Sequence, residues 1–328
     1  MATLSVRSIN IRDIPSLHDL HRVDVAVGLP RVATVEFGSG LLGSLPFMRR
    51  FHRVFVATLD DRLAALVELE PYAREYRWVV ASLAVSPALD SEETWIELWS
   101  EILLHAVRAA GSSGAKRLHA APPTDGPAFE ALRRASFSVF ANQTTLLAHG
   151  LHLDGHEEIP IREQEPSDAW SIHQLYHLAT PQPVQHAEAF TSNHWDTRRD
   201  AGSVVRGFLV DRGHQVAGYC RVRAWRRTHV LELLALPGEA HLFGSLVPEA
   251  LSRVGVGRKD SVWVSVPDYA MDQVSFLDIL GFEPVDRQAR MVRYTAVPVR
   301  SRVAPRLQLV PEVGERLAPR LPALSSPR

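Results

Sequence analysis

The sequence is poor in cysteine and in lysine, and it has no long apolar run. Cys220 is its one cysteine. No disulfide can therefore form within the chain, and no multi-cysteine zinc site can be assembled; a reducing compartment, the cytoplasm, fits. Of 36 basic residues only Lys116 and Lys259 are lysines, an imbalance that reads as coding bias and not as a phosphate-binding surface. No apolar stretch approaches the roughly 20 residues that span a bilayer, and Met1–Ser8 lacks the apolar centre of a signal peptide. A formal net charge of −1 leaves no basic surplus to draw nucleic acid or an anionic membrane. Also absent are H-E-x-x-H, G-x-S-x-G, phosphate-loop and dinucleotide patterns. Fifteen histidines are present, and His18 with His21, like His173 with His177, share a helix face. With no third ligand beside them they predict no metal site.

What is there suits two globular domains: 328 residues, 46% of them hydrophobic. An internal repeat organises them. Leu4–Leu20 is an alternating strand, a polar turn and an amphipathic helix, and Ile159–Leu175 repeats that grammar with Arg162 in the place of Arg7. Each half continues with a hairpin pattern: Val54–Leu59 and Leu63–Leu69 around Asp60-Asp61, then Gly207–Val210 and Gln215–Val222 around Asp211–Gly213. A fourth strand follows in both, Trp78–Val85 and His229–Leu236.

Long helices come next. Trp95, Ile96, Trp99, Ile102, Leu103, Ala106, Val107 and Ala110 share one face before Gly111. Leu242, Phe243, Leu246, Val247, Ala250, Leu251 and Val254 do so before Gly255, although Pro248 should kink that helix or mark a restart. Both halves close with a strand (Lys116–Ala121; Ser261–Val266), a helix (Pro127–Ala135; Ala270–Leu280) and a last strand (Gln143–Ala148; Arg290–Val297). The expected division is 1–150, 151–299 and a proline- and arginine-rich tail, 300–328, that lacks any period and is expected to be disordered. The linker falls at Gly150–Glu158.

This element order, with the run Val274–Pro284 (VSFLDILGFEP), resembles the GNAT acetyltransferase superfamily. In that run a helix ends at a glycine able to turn left-handed, and Phe282 plugs the core; Ser136 and Phe137 stand in the first half where Gly281 and Phe282 stand in the second. The resemblance implies an α/β (α+β) fold of two tandem domains, each a mixed, mostly antiparallel sheet flanked by helices. It covers about residues 3–149 and 158–298.

The resemblance also implies acetyl-CoA as cofactor, its pyrophosphate held at the start of the long helix by a Q/R-x-x-G-x-G/A loop. The first half places Asp90, Glu93 and Trp95 at the three key positions. Asp90 and Glu93 read as a capping box, and a carboxylate about 5 Å from a phosphate costs roughly 3 kcal/mol at an effective dielectric near 20. The second half gives His241, Gly244 and Leu246, a damaged loop but not a hostile one. The residues expected to contact the cofactor are Ala235, Leu236, His241, Leu242, Phe243, Gly244, Ser245 and Leu246.

The family's proton-donating tyrosine falls on Leu132 and Leu277, which cannot donate. Tyr269 lies near the second site and reads as a surface or packing residue. Glu232, on the fourth strand of the second half, falls where the family often keeps the base that deprotonates the acceptor amine; its first-half counterpart is Ala81. Two readings follow. One is an N-acyltransferase working through the second half on a small-molecule or peptide amine, with Val23–Phe51 and Thr180–Arg206 shaping the acceptor cleft. The other is a non-catalytic tandem pseudo-enzyme that binds a ligand or protein. Fusion lets the halves pair as a pseudo-dimer, so a monomer is expected.

Overall fold

A computed structural model describes residues 3–26, 53–72, 76–151, 159–197 and 204–295; the tail and most of Val23–Phe51 lie outside them. The first repeat gives β1 (Leu4–Ser8), a 3-10 stretch Ile11–Leu17, β2 (His21–Asp24), β3 (Arg53–Leu59), β4 (Arg62–Tyr72) and β5 (Arg77–Val85). It continues with α1 (Glu92–Ser112), β6 (Arg117–Ala120), α2 (Pro127–Arg134) and β7 (Ser138–His149). The second repeat gives β8 (Ile161–Glu163), α3 (Ala169–Ala179), α4 (Gln182–Glu188), a 3-10 turn Ser192–Trp195, β9 (Val204–Arg212), β10 (Gln215–Trp225) and β11 (Thr228–Ala235). After a 3-10 turn Ala240–Leu242 come α5 (Phe243–Val254), β12 (Ser261–Pro267), a 3-10 stretch Asp268–Gln273, α6 (Val274–Ile279) and β13 (Glu283–Tyr294).

The duplication is written into side-chain geometry. Arg7 donates to both carboxylate oxygens of Asp13 at 2.7 and 2.8 Å, and Asp13 accepts the Asn10 N–H at 2.7 Å. Arg162 repeats this on Asp168 at 2.7 and 2.9 Å, and Asp168 accepts the Glu165 N–H at 2.7 Å. Each carboxylate fixes the corner where a strand enters a helical turn. The closing corners also match: the N–H groups of Phe137 and Phe282 donate to the carbonyls of Leu132 and Leu277, each at 3.0 Å.

The strands join one sheet in the order β1-β3-β4-β5-β6-β13-β7-β12-β11-β10-β9-β8. Neighbours run antiparallel except β5 with β6 and β11 with β12. The closing strands are exchanged: β13 pairs with β6 of the first repeat, and β7 pairs with β12 of the second. The cores follow the exchange. Ala289 and Met291 of β13 pack with α1 and α2, whereas Leu146 and Ala148 of β7 pack with α5 and α6. All nine residues of β5 are buried, because α1 and α2 cover one face of this sheet and Ile9, Leu17 and Leu20 cover part of the other. Among the described residues no helix is long and apolar enough to cross a membrane.

Local expectations hold with some corrections. The α1 face is buried as its periodicity predicts, but its cap is Ser91, whose Oγ accepts the Thr94 N–H at 3.4 Å. The helix starts beyond Asp90, and Glu93 is drawn away to Arg134 at 2.8 Å, so the Asp90–Glu93 capping box does not form. The first helix is a short 3-10 stretch containing Pro15. Pro248 neither breaks nor restarts α5. The closing strand begins at Glu283 and not at 290, because the corner at Gly281 delivers the chain straight into pairing with β7; positions 296–297 of the expected strand lie outside the described residues.

Candidate active site

Each repeat contains a parallel strand pair that opens like a V. In the first, β5 and β6 pair only over Arg77–Val79 and Arg117–His119. Beyond that point β2 lies antiparallel on the freed edge of β5, from His21 opposite Val85 to Asp24 opposite Ser82. In the second, β11 and β12 pair over Thr228–Leu231 and Ser261–Val264, then separate. A cavity of about 430 Å³ opens there, walled by Leu233–Leu236 on one side and Pro267–Gln273 on the other, with Thr180 at its rim.

The residues expected to hold a cofactor divide between this cavity and the start of α5. Ala235 and Leu236 line the cavity. Leu242, Phe243, Ser245 and Leu246 are buried on the core side of α5, so they can offer a ligand only their backbone. Gly244 is half-buried, and a Cβ added there would meet no atom within 4 Å; its surface is open to an approaching group. Pro248, four residues on, lacks the N–H that would take the Gly244 carbonyl in a regular helix. His241 is exposed, 3.5 Å from Arg212. Arg212 also pairs with Glu239 at 2.9 Å, which offsets the one carboxylate at the start of this helix.

Glu232 stands on β11 beside the cavity wall, opposite Arg221 of β10. The Arg221 guanidinium contacts its carboxylate and also donates to the His194 carbonyl at 2.6 Å. His194 Nε2 lies 3.4 Å from Glu232 and 3.2 Å from Arg221; it can donate to the first or accept from the second, but not both at once. Desolvation by the surrounding protein would raise the Glu232 carboxyl, yet Arg221 and His194 outweigh it and hold the group well below the usual carboxylate range. Phe190 stacks on the His194 ring at 3.8 Å, and the buried Arg77 of the first repeat lies over Phe190 at 5.0 Å.

On the opposite wall Tyr269 is 36% exposed, beside Thr180 and Arg290. Burial of its ring pushes the hydroxyl pKa up, so it stays protonated. Beneath it Tyr176 donates to Glu188 at 2.7 Å, and Arg290, on the exchanged strand β13, pairs with Glu188. Leu132 and Leu277 are both fully buried; neither corner carries a proton donor.

Sequence reasoning proposed Glu232 and the α5 start; it did not name His194 and Arg221, which the structure sets against Glu232, or the setting of Tyr269. Arg221 could have been found from the hairpin register that sets it opposite Glu232. His194 sits in a segment with no period to read.

The pair His173 and His177 is a hydrogen-bond relay. The Trp195 indole N–H donates to His173 Nδ1 at 3.2 Å, so the His173 proton is on Nε2, 3.1 Å from the accepting His177 Nε2. His177 Nδ1 then donates to Gln185 Oε1. Among the described residues no three metal-ligating side chains converge.

The sequence matches no protein-family model and no curated protein. Solved structures do match. A tandem GNAT protein from the clavulanic acid biosynthesis pathway superposes with a TM-score of 0.53 at 17% identity, over 90% of this chain and 99% of that one. A GCN5-related N-acetyltransferase from Sphaerobacter thermophilus gives 0.50 at 14% identity, over 89% of this chain and 95% of that one.

Proposed function

We propose that this chain, which has the fold of tandem GNAT proteins, is an acyl-CoA-dependent N-acyltransferase working at the β11/β12 opening. The two halves, 1–150 and 151–299, would be GNAT-type domains completed by each other's closing strands, and one chain would be a self-sufficient pseudo-dimer. The observation that carries the reading is the contrast between the two V-shaped openings. The first is filled by the protein itself, and the second keeps a cavity that Leu233–Leu236 of the β11 end line.

The residues present fit acyl-CoA. The edge of β11 beyond Leu231 offers backbone groups along the cavity. At the start of α5 the N–H groups of Leu242 and Phe243 are already taken by the Glu239, Ala240 and His241 carbonyls, so a phosphate there would be drawn by the helix dipole and by the open surface of Gly244. Acyl-CoA, when bound, supplies an activated acyl group as a thioester and departs as a thiol. Glu232, ionised throughout the neutral range, attracts the ammonium of a small-molecule or peptide amine. Its low pKa makes it a weak base, so the His194 imidazole beside it shares the task of taking the proton before the nitrogen attacks. Tyr269 holds a proton on the opposite wall and would be the residue to supply one to a departing thiol.

Calorimetric titration with acetyl-CoA tests this. Micromolar binding lost in Gly244→Trp supports the site, and no heat at millimolar ligand overturns it. Tyr269→Phe is expected to lower kcat by about a hundredfold or more with Kd unchanged, within the usual range for loss of a general acid. The clamp of Arg221 on Glu232 favours a second reading, a ligand-binding pseudo-enzyme. Micromolar binding with no turnover on any amine of a broad panel would select it.

A further inference from the structure

The first V-shaped opening is filled more thoroughly than an ordinary loop contact requires. From His21 to Asp24, β2 takes the edge of β5 residue by residue. Val25 then reaches the fork itself. Its N–H donates to Ala81 of β5 at 3.2 Å, and its carbonyl accepts from the N–H of Ala121, just past β6, at 2.7 Å. One residue thus bridges both arms of the V by backbone hydrogen bonds, with its side chain fully buried in the core beneath α1. Val23 packs on the same core, and on the opposite face Arg22 lies 3.9 Å from Glu68 of β4. Trp95 stands where the second half has Leu246, and its indole N–H donates to the Leu89 carbonyl at 2.7 Å.

The second repeat shows what happens without such a strand. Its matching stretch, some 155 residues on, continues as helix α3. The next segment, Pro181-Gln-Pro183, lacks two of the N–H groups a strand would need, so the chain turns into α4 instead. Among the described residues nothing pairs with the β12-facing edge of β11 beyond Leu231, and the cavity remains.

We infer that residues 21–26 are an internal ligand strand that seals the N-terminal opening, so that the chain takes up one acyl-CoA and never two. The sealed half serves the other as a wall. It holds β5 rigid, and with it Arg77 over Phe190 and, through Phe190, the His194 ring. The identity of the ligand rests on the function proposed above; the seal does not.

Hydrogen exchange by mass spectrometry on the full chain, free and with saturating acetyl-CoA, tests both separately. In the free protein the amides of 21–26, like those of β5, should exchange at least about a hundredfold more slowly than an unstructured chain. Acetyl-CoA should slow 233–246 and leave 21–26 and 80–86 unchanged, with a calorimetric stoichiometry near one per chain. Fast exchange of 21–26 in the free protein, release of that segment by acetyl-CoA, or two bound ligands per chain would each overturn the seal. If acetyl-CoA slows nothing, the functional proposal falls, while protection of 21–26 in the free protein still supports a closed opening.

Discussion

Ser136 and Gly281 hold the same left-handed corner, with φ of +62° and +91°, and only one of them is suited to it. A side chain in that region crowds its own backbone, at a cost near 1 kcal/mol. Ser136→Gly is therefore expected to stabilise the protein by roughly 1 kcal/mol, readable as a raised chemical-denaturation midpoint with unchanged slope. No gain would mean that the serine side chain repays its strain by a contact of its own. The second corner was legible in the sequence because a glycine-phenylalanine pair after an apolar helix has few other uses, and the first followed from aligning Ser136-Phe137 with it. Glu232 was legible as a position, but its electrostatic setting was not: Arg221 sits close by in sequence, whereas His194 arrives from a segment without period.

Among the elements, the 3-10 turn Ser192–Trp195 is held by polar ties more than by its own geometry. The Arg221 guanidinium caps the His194 carbonyl, and His173 takes the buried Trp195 indole N–H. Removing that acceptor leaves a donor without a partner in a dry site, at a cost of about 1–3 kcal/mol. His173→Phe should lower stability by that amount and alter the fluorescence of Trp195; a variant as stable as the parent, with an unmoved spectrum, would refute the tie. At this scale the sequence read strands and long helices well, because the nearly continuous apolar run of β5 and the full apolar face of α1 are strong signals. It failed at short irregular pieces. The 3-10 stretches at 11–17 and 268–273 and the strand β2 depend on what they pack against, which a local pattern does not contain.

For the whole molecule, the exchanged strands predict how it can be divided. A fragment 1–150 keeps β7, whose pairing partners are both in the other half, and leaves β6 without β13; the fragment 151–328 has the mirror defect. Neither should fold cooperatively alone, and the two together should reconstitute the far-ultraviolet spectrum of the intact chain as a 1:1 complex. A monomeric, cooperatively melting 1–150 fragment would contradict the pairing. Acid should also loosen the joined sheet. Burial, with Arg77 beside it, lowers His119 from an ordinary 6.5 to about 3. The unfolded chain therefore takes up that proton first, and stability falls as pH drops below about 6.5 and levels off near 3. At roughly 1.4 kcal/mol per unit the loss is about 2 kcal/mol by pH 5, and His119→Gln should flatten that part of the profile. An unchanged profile in the variant would assign the acid sensitivity elsewhere.

The position of β7 has a consequence for biosynthesis. Both of its neighbours, β12 and β13, are encoded downstream of it, so its 12 residues leave the ribosome more than a hundred codons before anything can pair with them. β6 must likewise keep an edge vacant until Tyr294 has been translated. Exposed strands on a nascent chain pair readily with one another. Crowded polysomes and fast elongation therefore work against the yield of this protein, and slow expression in the cold works for it.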